Sequence, residues 1–552
     1  MDNYRIPPDA RPAASLILLR DGAAGMEVLM LRRAERDGDQ RSGACVFPGG
    51  VVDPRDRLAH AHAVGWDDAT LARRFGMAEG ALDYAIAALR ECFEEVGLLL
   101  LDAEVDAALA QPWRDRLQRG DAGAADFAQA LGVRWNLQGL AYHSHWLTPP
   151  GTPKRFDTRF FAALAPAGQH AEADYGEAVE LMWLTPAEAL SAERALKLLP
   201  VTRRTLQDLG RFARAADALA EAQARQHIPL TMPRVGRSRH GERVVVLPDE
   251  LPYAEIGRLD PTGRGDVCSD IVAGRAVRLS PHVLRVTAHN PGVMTGPGTN
   301  SYLVGAGDHW AVIDPGPDLA AHQQALLDAV AAVHGRITRI LVTHTHRDHS
   351  PGAAALALAT GAPVWGQVAA HPQWQDDSFA PQREPQHGER IALAPGVTLR
   401  VLHTPGHASN HLCYLLEEEK TLFTGDHVMQ GSTVVINPPD GDMAAYLRAL
   451  RALLDEDLDW LAPGHGFLVD QPHAVLRALI AHRLKREARV RDALREAGAG
   501  SLDDLVLLAY ADVPPALHPV ARRSLLAHLL KLQADGEAAT DGERWLRAGY
   551  AG

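Results

Sequence analysis

The chain has 552 residues, 46% of them hydrophobic and 23% charged, and a mean hydropathy of −0.15. That composition is globular, excludes a disordered or collagen-like chain, and implies three or four folded units at about 150 residues each. With 56 Lys+Arg against 69 Asp+Glu, the net charge of −13 excludes a protein that coats nucleic acid by bulk phosphate attraction.

In chain order, strands are expected at 15–19 and 27–31. The turn Phe47-Pro48-Gly49-Gly50 follows, then a helix ending near Gly97 and an Ala/Leu/Arg-rich helical stretch over 186–226. The apolar run 16–19 is too short for a signal-peptide core of ~7–15 residues, and no run reaches the ~18–20 that cross a bilayer, so no membrane partner is expected. Residues 227–278 mix Pro, Gly and charge with little periodicity and read as a connector with a hairpin over 243–247. From 279 to 481, strand-like runs at 311–314, 339–343, 398–403 and 421–424 alternate with helical runs at 353–359 and 443–454, which means α/β layers. The remainder, 482–552, is helical to about Leu532, with a short strand at 544–546. The expected units are therefore 1–226, 227–278, 279–481 and 482–552, a multidomain α/β chain with no long internal repeat. Cys45, Cys92, Cys268 and Cys413 form no CxxC pair, so neither a disulfide framework nor a zinc finger is expected, and a reducing cytoplasm fits.

Histidine, at 26 residues, is the compositional outlier, and its densest cluster carries chemistry. Thr343-His344-Thr345-His346-Arg347-Asp348-His349 follows an apolar strand. Residues two apart in extended chain share a face, so His344 and His346 can reach one metal, while Asp348 and His349 face a second after the turn. His407, Asp426 and His465 each stand on a Gly-containing turn at or just beyond a strand-like run. A chance HxHxDH is on the order of one in several hundred for such a chain.

These residues resemble the metallo-β-lactamase superfamily over about 270–480. The resemblance implies an αββα sandwich with two Zn²⁺ (or Mn or Fe) ions at the sheet edge. His344, His346 and His407 would hold one ion and Asp348, His349 and His465 the other, with Asp426 bridging and Asp314 orienting a ligand imidazole. A carboxylate where the true β-lactamases usually carry cysteine is more similar to the phosphodiesterase, glyoxalase II and RNase members. The implied mechanism is a bridging hydroxide attacking a phosphodiester, with Asp348 as the catalytic group that holds and deprotonates it. Pro297-Gly298-Thr299-Asn300-Ser301-Tyr302 and His482-Arg483-Leu484-Lys485-Arg486-Glu487 look like the beta-lactamase-like protein 2 group of single-strand-specific endoribonucleases. That likeness implies a small winged-helix-like domain over 482–552 and single-stranded RNA as a candidate partner. The near balance of charge in 482–552 does not match such a partner.

In the first unit, Arg90-Glu91-Cys92-Phe93-Glu94-Glu95-Val96-Gly97-Leu98 places Glu91, Glu94 and Glu95 at i, i+3 and i+4 on one helix face. Their mutual repulsion needs a cation or an arginine, and oxygen-only ligands suit Mg²⁺ or Mn²⁺. With Phe47-Pro48-Gly49-Gly50 upstream, this resembles the Nudix box, GX5EX7REUXEEXGU, and downstream segments resemble its coenzyme A diphosphatase branch. The likeness implies an α/β/α sandwich and Glu91, Glu94 and Glu95 as metal ligands, the last two also catalytic. Arg90 would lock a glutamate, and the substrate would be a nucleotide or coenzyme A derivative. Three departures stand out: a long insertion removes the standard glycine-to-helix spacing, Leu82 falls where the box has its first glutamate, and Cys92 replaces an aliphatic residue. The whole reads as a cytoplasmic bifunctional metal-dependent hydrolase. Two alternatives are a C-terminal thioesterase of the glyoxalase II kind and a Nudix half that senses nucleotides to regulate its partner domain.

Overall fold

The computed structural model describes residues 6–35, 42–174, 178–371, 373 and 376–548. The chain divides into two units, one of 1–235, 245–248 and 262–265, the other of 236–244, 249–261 and 266–552.

The first unit is organised by the strand Arg11–Gly22, longer at both ends than the run expected from its apolar core. Alternation gives it two apolar faces. Leu16 and Leu18 pack with Leu82, Leu89 and Phe93 of the helix Ala81–Val96, and Ile17 and Leu19 pack with Leu206 and Leu219 on the opposite side. Around it runs an eight-stranded sheet in the order Leu230–Thr231, Ala141–Leu147, Phe156–Leu164, Arg11–Gly22, Gly25–Arg33, Cys45–Val46. Gly49–Val51 pairs with Arg11–Gly22, and Ala178–Leu184 with Gly25–Arg33. Helices on both faces make this the α/β/α sandwich of the Nudix fold. The helical stretch over 186–226 is three helices, Pro186–Leu190, Pro200–Leu209 and Ala215–Ala224, because a proline restarts the chain at the first two.

In the second unit, a six-stranded sheet (Ala276–Ser280, Val283–Thr287, Asn300–Ala306, His309–Ile313, Arg336–Leu341, Val364–Trp365) faces a five-stranded one (Arg390–Ala394, Val397–His403, Leu412–Leu416, Thr421–Gly425, Trp460–Pro463). Tyr302, Ile313, Val401, Tyr414 and Phe423 fill the space between them. The helices Ala320–Ala331 and Gly352–Thr360 cover the outside of the first sheet, and Met443–Leu453 with Pro472–Ala497 covers the second, so the layers run αββα. Beyond it, Leu502–Ala509 and His518–Ala534 pack on the end of Pro472–Ala497 beside the small sheet Ala499–Gly500, Trp545–Arg547, Ala538–Thr540, a winged-helix arrangement around Leu494, Leu525, Leu529 and Trp545.

Within 227–278, read from the sequence as a connector with a hairpin over 243–247, Arg234–Arg237 and Arg243–Val246 form a two-stranded sheet. Tyr253–Leu259 is a helix, and its buried Glu255 receives Arg285 at 2.6 Å and the Leu468 N–H at 2.9 Å. Two turns of helix are too short for a 3.6-residue period to register among prolines and glycines.

Candidate metal centres

Strands of both sheets in the second unit end at one rim, and the turn after each supplies a functional side chain. Asp314 follows His309–Ile313, His344 and His346 follow Arg336–Leu341, Asp426 follows Thr421–Gly425, and His465 follows Trp460–Pro463. The turn after Val397–His403 delivers His407. Gly406 is required there: at φ +146°, a Cβ would sit 2.4 Å from the Tyr446 Cα.

Two groups of ligand atoms result, His344/His346/His407 and Asp348/His349/Asp426/His465, each with all its atoms within 4.8 Å of one another. In the first, His344 Nε2 and His407 Nε2 lie 3.0 and 3.1 Å from His346 Nδ1. In the second, the Nε2 atoms of His349 and His465 each lie 3.3 Å from Asp348 Oδ2 and Asp426 Oδ1. Asp426 Oδ2 also lies 3.8 Å from His407 Nε2, so one carboxylate faces both groups.

Outer contacts fix three of the five rings. His407 Nδ1 donates to the Val435 carbonyl at 2.7 Å, His465 Nδ1 to the Gly298 carbonyl at 3.1 Å, and His349 Nδ1 to Asp314 Oδ2 at 2.9 Å. In each, Nε2 is the ring nitrogen that faces the site. Asp314, at φ +53°, also accepts from the Thr343 N–H and hydroxyl at 2.7 and 2.8 Å, which ties the histidine-rich turn to the neighbouring strand. Thr299 Oγ1 donates to Asp348 Oδ2 at 3.2 Å. Behind the site, buried His411 stacks on His344 at 5.0 Å and His427 lies 5.6 Å beyond it, both as packing side chains.

The electrostatics match a cation site. Burial pushes His344 well down and His346 to about 3, so both are neutral, lone-pair donors at neutral pH. Burial also opposes charge on His349 and His465, but the surrounding carboxylates outweigh it. They hold His349 well above its ordinary value and His465 at about 10. Protons there stand where positive charge is wanted. His349 Nε2 and Asp426 Oδ1 are buried and face each other at 3.3 Å without hydrogen-bond geometry, a pair of donor atoms between which an ion could sit. An all-N/O donor set of this kind fits Zn²⁺, Mn²⁺ or Fe ions.

In the first unit, the helix Ala81–Val96 ends at Gly97, φ +73°, directly after the glutamates. Arg90 is their organiser: its NH1 donates to Glu91 Oε1 at 2.8 Å and Glu94 Oε1 at 2.9 Å. Glu95 Oε2 instead accepts the Gly49 N–H at 2.8 Å, and a Cβ on Gly50 would lie 2.5 Å from the Glu91 carboxylate, so one glycine donates to one acid and the other makes room for the second. Burial lifts Glu91 to about 7, with Arg90 opposing it, and burial raises Glu94 too. A cavity of about 240 Å³ opens here, lined by Asp53, Arg55, Asp56, Glu94 and Gln118. The three glutamates are not drawn to one point: among the described residues, groups of three or more ligand atoms occur in the second unit alone. Oxygen donors beside a cavity of this size still suit Mg²⁺, which keeps several waters and needs one or two carboxylates.

An acid does meet Arg90, far from the Leu82 position that contiguous counting gives. Asp56, 1% exposed, receives Arg90 Nε at 2.8 Å and NH2 at 3.1 Å. It stands at the GX5E spacing from Gly50, and a long insertion separates it from Arg90. Reading forward from Gly50, not back from Arg90 to Leu82, would have found it. Cys92 is fully buried among apolar side chains and serves as a small hydrophobe.

Comparison with known proteins agrees with this division. Residues 66–201 match the NUDT19 Nudix domain, 294–465 the metallo-beta-lactamase superfamily, and 501–545 the beta-lactamase associated winged helix domain. An atrochrysone carboxyl ACP thioesterase of Aspergillus chevalieri is 33% identical over 291 residues, covering 49% of this chain and 89% of that protein. A beta-lactamase-like protein 2 homolog of Caenorhabditis elegans is 30% identical over 260 residues, covering 47% and 86%. Among solved structures, a NUDIX hydrolase from Alicyclobacillus acidocaldarius is 29% identical with a TM-score of 0.33, covering 38% of this chain and 96% of that one.

Proposed function

Because the chain belongs to the metallo-β-lactamase superfamily, with a NUDT19-type Nudix domain before and a winged helix after that domain, we propose that it is a bifunctional metal-dependent hydrolase. Its C-terminal unit would cleave an acyl thioester, and its N-terminal unit the diphosphate of a coenzyme A or nucleotide derivative. The observation that carries the first part is Asp426, whose two oxygens face two separate groups of histidine and carboxylate ligands.

Two divalent cations, Zn²⁺ or Mn or Fe, would supply positive charge there, polarising a scissile carbonyl and lowering the pKa of water. His344, His346 and His407 would hold one, and Asp348, His349 and His465 the other. Asp348 has a part-exposed side chain, is oriented by Thr299, and is kept ionised against burial by His349 and His465. It is the carboxylate placed to take a proton from an attacking water. In the N-terminal unit Glu94, on the cavity wall, would activate water beside Mg²⁺ or Mn²⁺, with Glu91 and Glu95 as further ligands.

A thioester is favoured over RNA by the surface of the winged helix. Arg486 and Arg489 are paired with Asp512, Arg491 with Glu537, Arg522 with Asp503, and Lys531 with Glu487 and Asp535, while Lys485 and Arg523 stand outside these pairs, so the surface is closer to balanced than to the positive stripe that phosphates attract. The similarity to an acyl-carrier thioesterase points the same way. Single-stranded RNA is the second reading, carried by the likeness to the beta-lactamase-like protein 2 group. The regulatory reading of the Nudix half rests on a missing acid and on Cys92, and both have ordinary explanations in Asp56 and in packing.

The zinc-loaded protein should hydrolyse acyl thioesters, S-lactoylglutathione or an acyl-coenzyme A among them, and leave single-stranded RNA intact. Cleavage of RNA without thioester turnover would reverse the assignment. Glu94→Gln should reduce Mg²⁺-dependent release of phosphopantetheine from coenzyme A by about 10²-fold; no turnover by the unaltered chain on any nucleoside diphosphate derivative would defeat the N-terminal half of the proposal.

A further inference from the structure

The run His482–Glu487 lies midway along the helix Pro472–Ala497, and its side chains reach in two directions. Arg486 NH1 donates to the Ala509 carbonyl at 2.6 Å and Asp512 Oδ1 at 2.7 Å, and Glu487 Oε1 accepts from Lys531 at 3.2 Å and Arg491 at 2.8 Å. Both grip the winged helix.

Arg483 turns to the sandwich instead. It is 4% exposed, its guanidinium lies 5.4 Å from the Tyr446 ring centroid, and no carboxylate pairs with it among the described residues. Its NH2 donates to the Val434 carbonyl, while its Nε is buried without a partner. Burying a guanidinium away from any counter-charge costs stability, and a methionine of similar volume would pack there without that cost. The next carbonyl along the chain, Val435, is the acceptor that fixes His407 Nδ1 at 2.7 Å. Val434 and Ile436, on either side of it, are buried in the same cluster as Leu476 of this helix.

We infer that Arg483 is a positioning residue: by holding the 434–436 segment it sets the tautomer and orientation of His407, and through it the affinity of the His344/His346/His407 group for its cation. This makes the helix Pro472–Ala497 part of the metal centre's support, and it rests on the metal-centre reading above. An outer-sphere partner of a ligating histidine is worth about 10–100-fold in metal affinity, and Arg483 acts one bond further out, so about tenfold is expected.

The test is zinc titration of the full chain against a chromophoric chelator, with the absorption spectrum of the Co²⁺-loaded protein as a second readout. The unaltered chain should bind two ions. R483M should weaken one of them about tenfold, leave the other within twofold and alter the Co²⁺ bands, while R483K, which keeps a charged donor, should weaken the same ion by a smaller factor. R491M, on the same helix but paired with Glu537, should change neither. Two ions held with unchanged affinities in R483M, or both weakened equally in a folded variant, would overturn this inference alone; an unaltered chain that binds no zinc would overturn the metal-centre reading beneath it. Should R483M fail to fold, R483K decides: selective weakening of one ion supports the inference and unchanged affinity overturns it.

Discussion

Asp56→Asn removes one charge from the most buried ion pair of the Nudix cleft. Arg90 keeps at most one of its two hydrogen bonds to this side chain, those at 2.8 and 3.1 Å, because the amide nitrogen that replaces one oxygen faces a guanidinium N–H. Both partners are almost wholly buried. Breaking a buried pair costs about 3–5 kcal/mol, and because Arg90 keeps Glu91, Glu94 and the Val51 carbonyl, the lower end, about 3 kcal/mol, is expected. For a unit of this size that lowers its melting temperature by about 6–12 °C. Asp53→Asn supplies the contrast: its partner Arg55 is half-exposed, and exposed pairs contribute about 0–1 kcal/mol. Scanning calorimetry of the full chain would measure both variants, with amide exchange across Ala81–Val96 identifying the transition that belongs to this unit. An Asp56→Asn shift no larger than that of Asp53→Asn would show that Asp56 is not the acid that anchors Arg90.

His346→Ala should cost one bound zinc and His465→Ala the other, while Asp426→Ala, which faces both groups, should cost both; elemental analysis reads the stoichiometry, and unchanged metal in all three would defeat the assignment. Gly406→Ala forces a Cβ against the Tyr446 backbone, should cost about 1–3 kcal/mol, and should displace His407 enough to lower zinc content, which the same analysis reads. For Glu91 the folded-state value of about 7 lies above the ordinary carboxyl value, so its effect on stability is most favourable at low pH and is lost as pH rises toward about 7. Mg²⁺ replaces that proton, so it should raise the first unit's melting temperature more at about pH 8 than at about pH 6; equal shifts at the two values would exclude Glu91 as a ligand.

Local patterns in the chain were enough to name the side chains that the second unit gathers at its rim. His344, His346, Asp348 and His349 are neighbours in sequence, and a strand followed by a tight turn leaves them few ways to point. His407, Asp426 and His465 were legible for a related reason: each is announced by a glycine after a strand, because the rim of an α/β sandwich is reached by turns that need one. The glutamates of the Nudix helix were equally plain, since 3.6 residues per turn sets them on one face whatever packs around them. The tertiary fold decided what sequence separation conceals. Asp56 and Arg90 meet across an insertion, and no local periodicity encodes the return of the chain. Val435, Gly298 and Arg483 act through backbone carbonyls or through burial without a counter-charge, and neither has a residue-type signature. A side chain's identity travels with the sequence; the partner that gives it a tautomer, a charge or a direction is supplied by whichever distant segment folds against it.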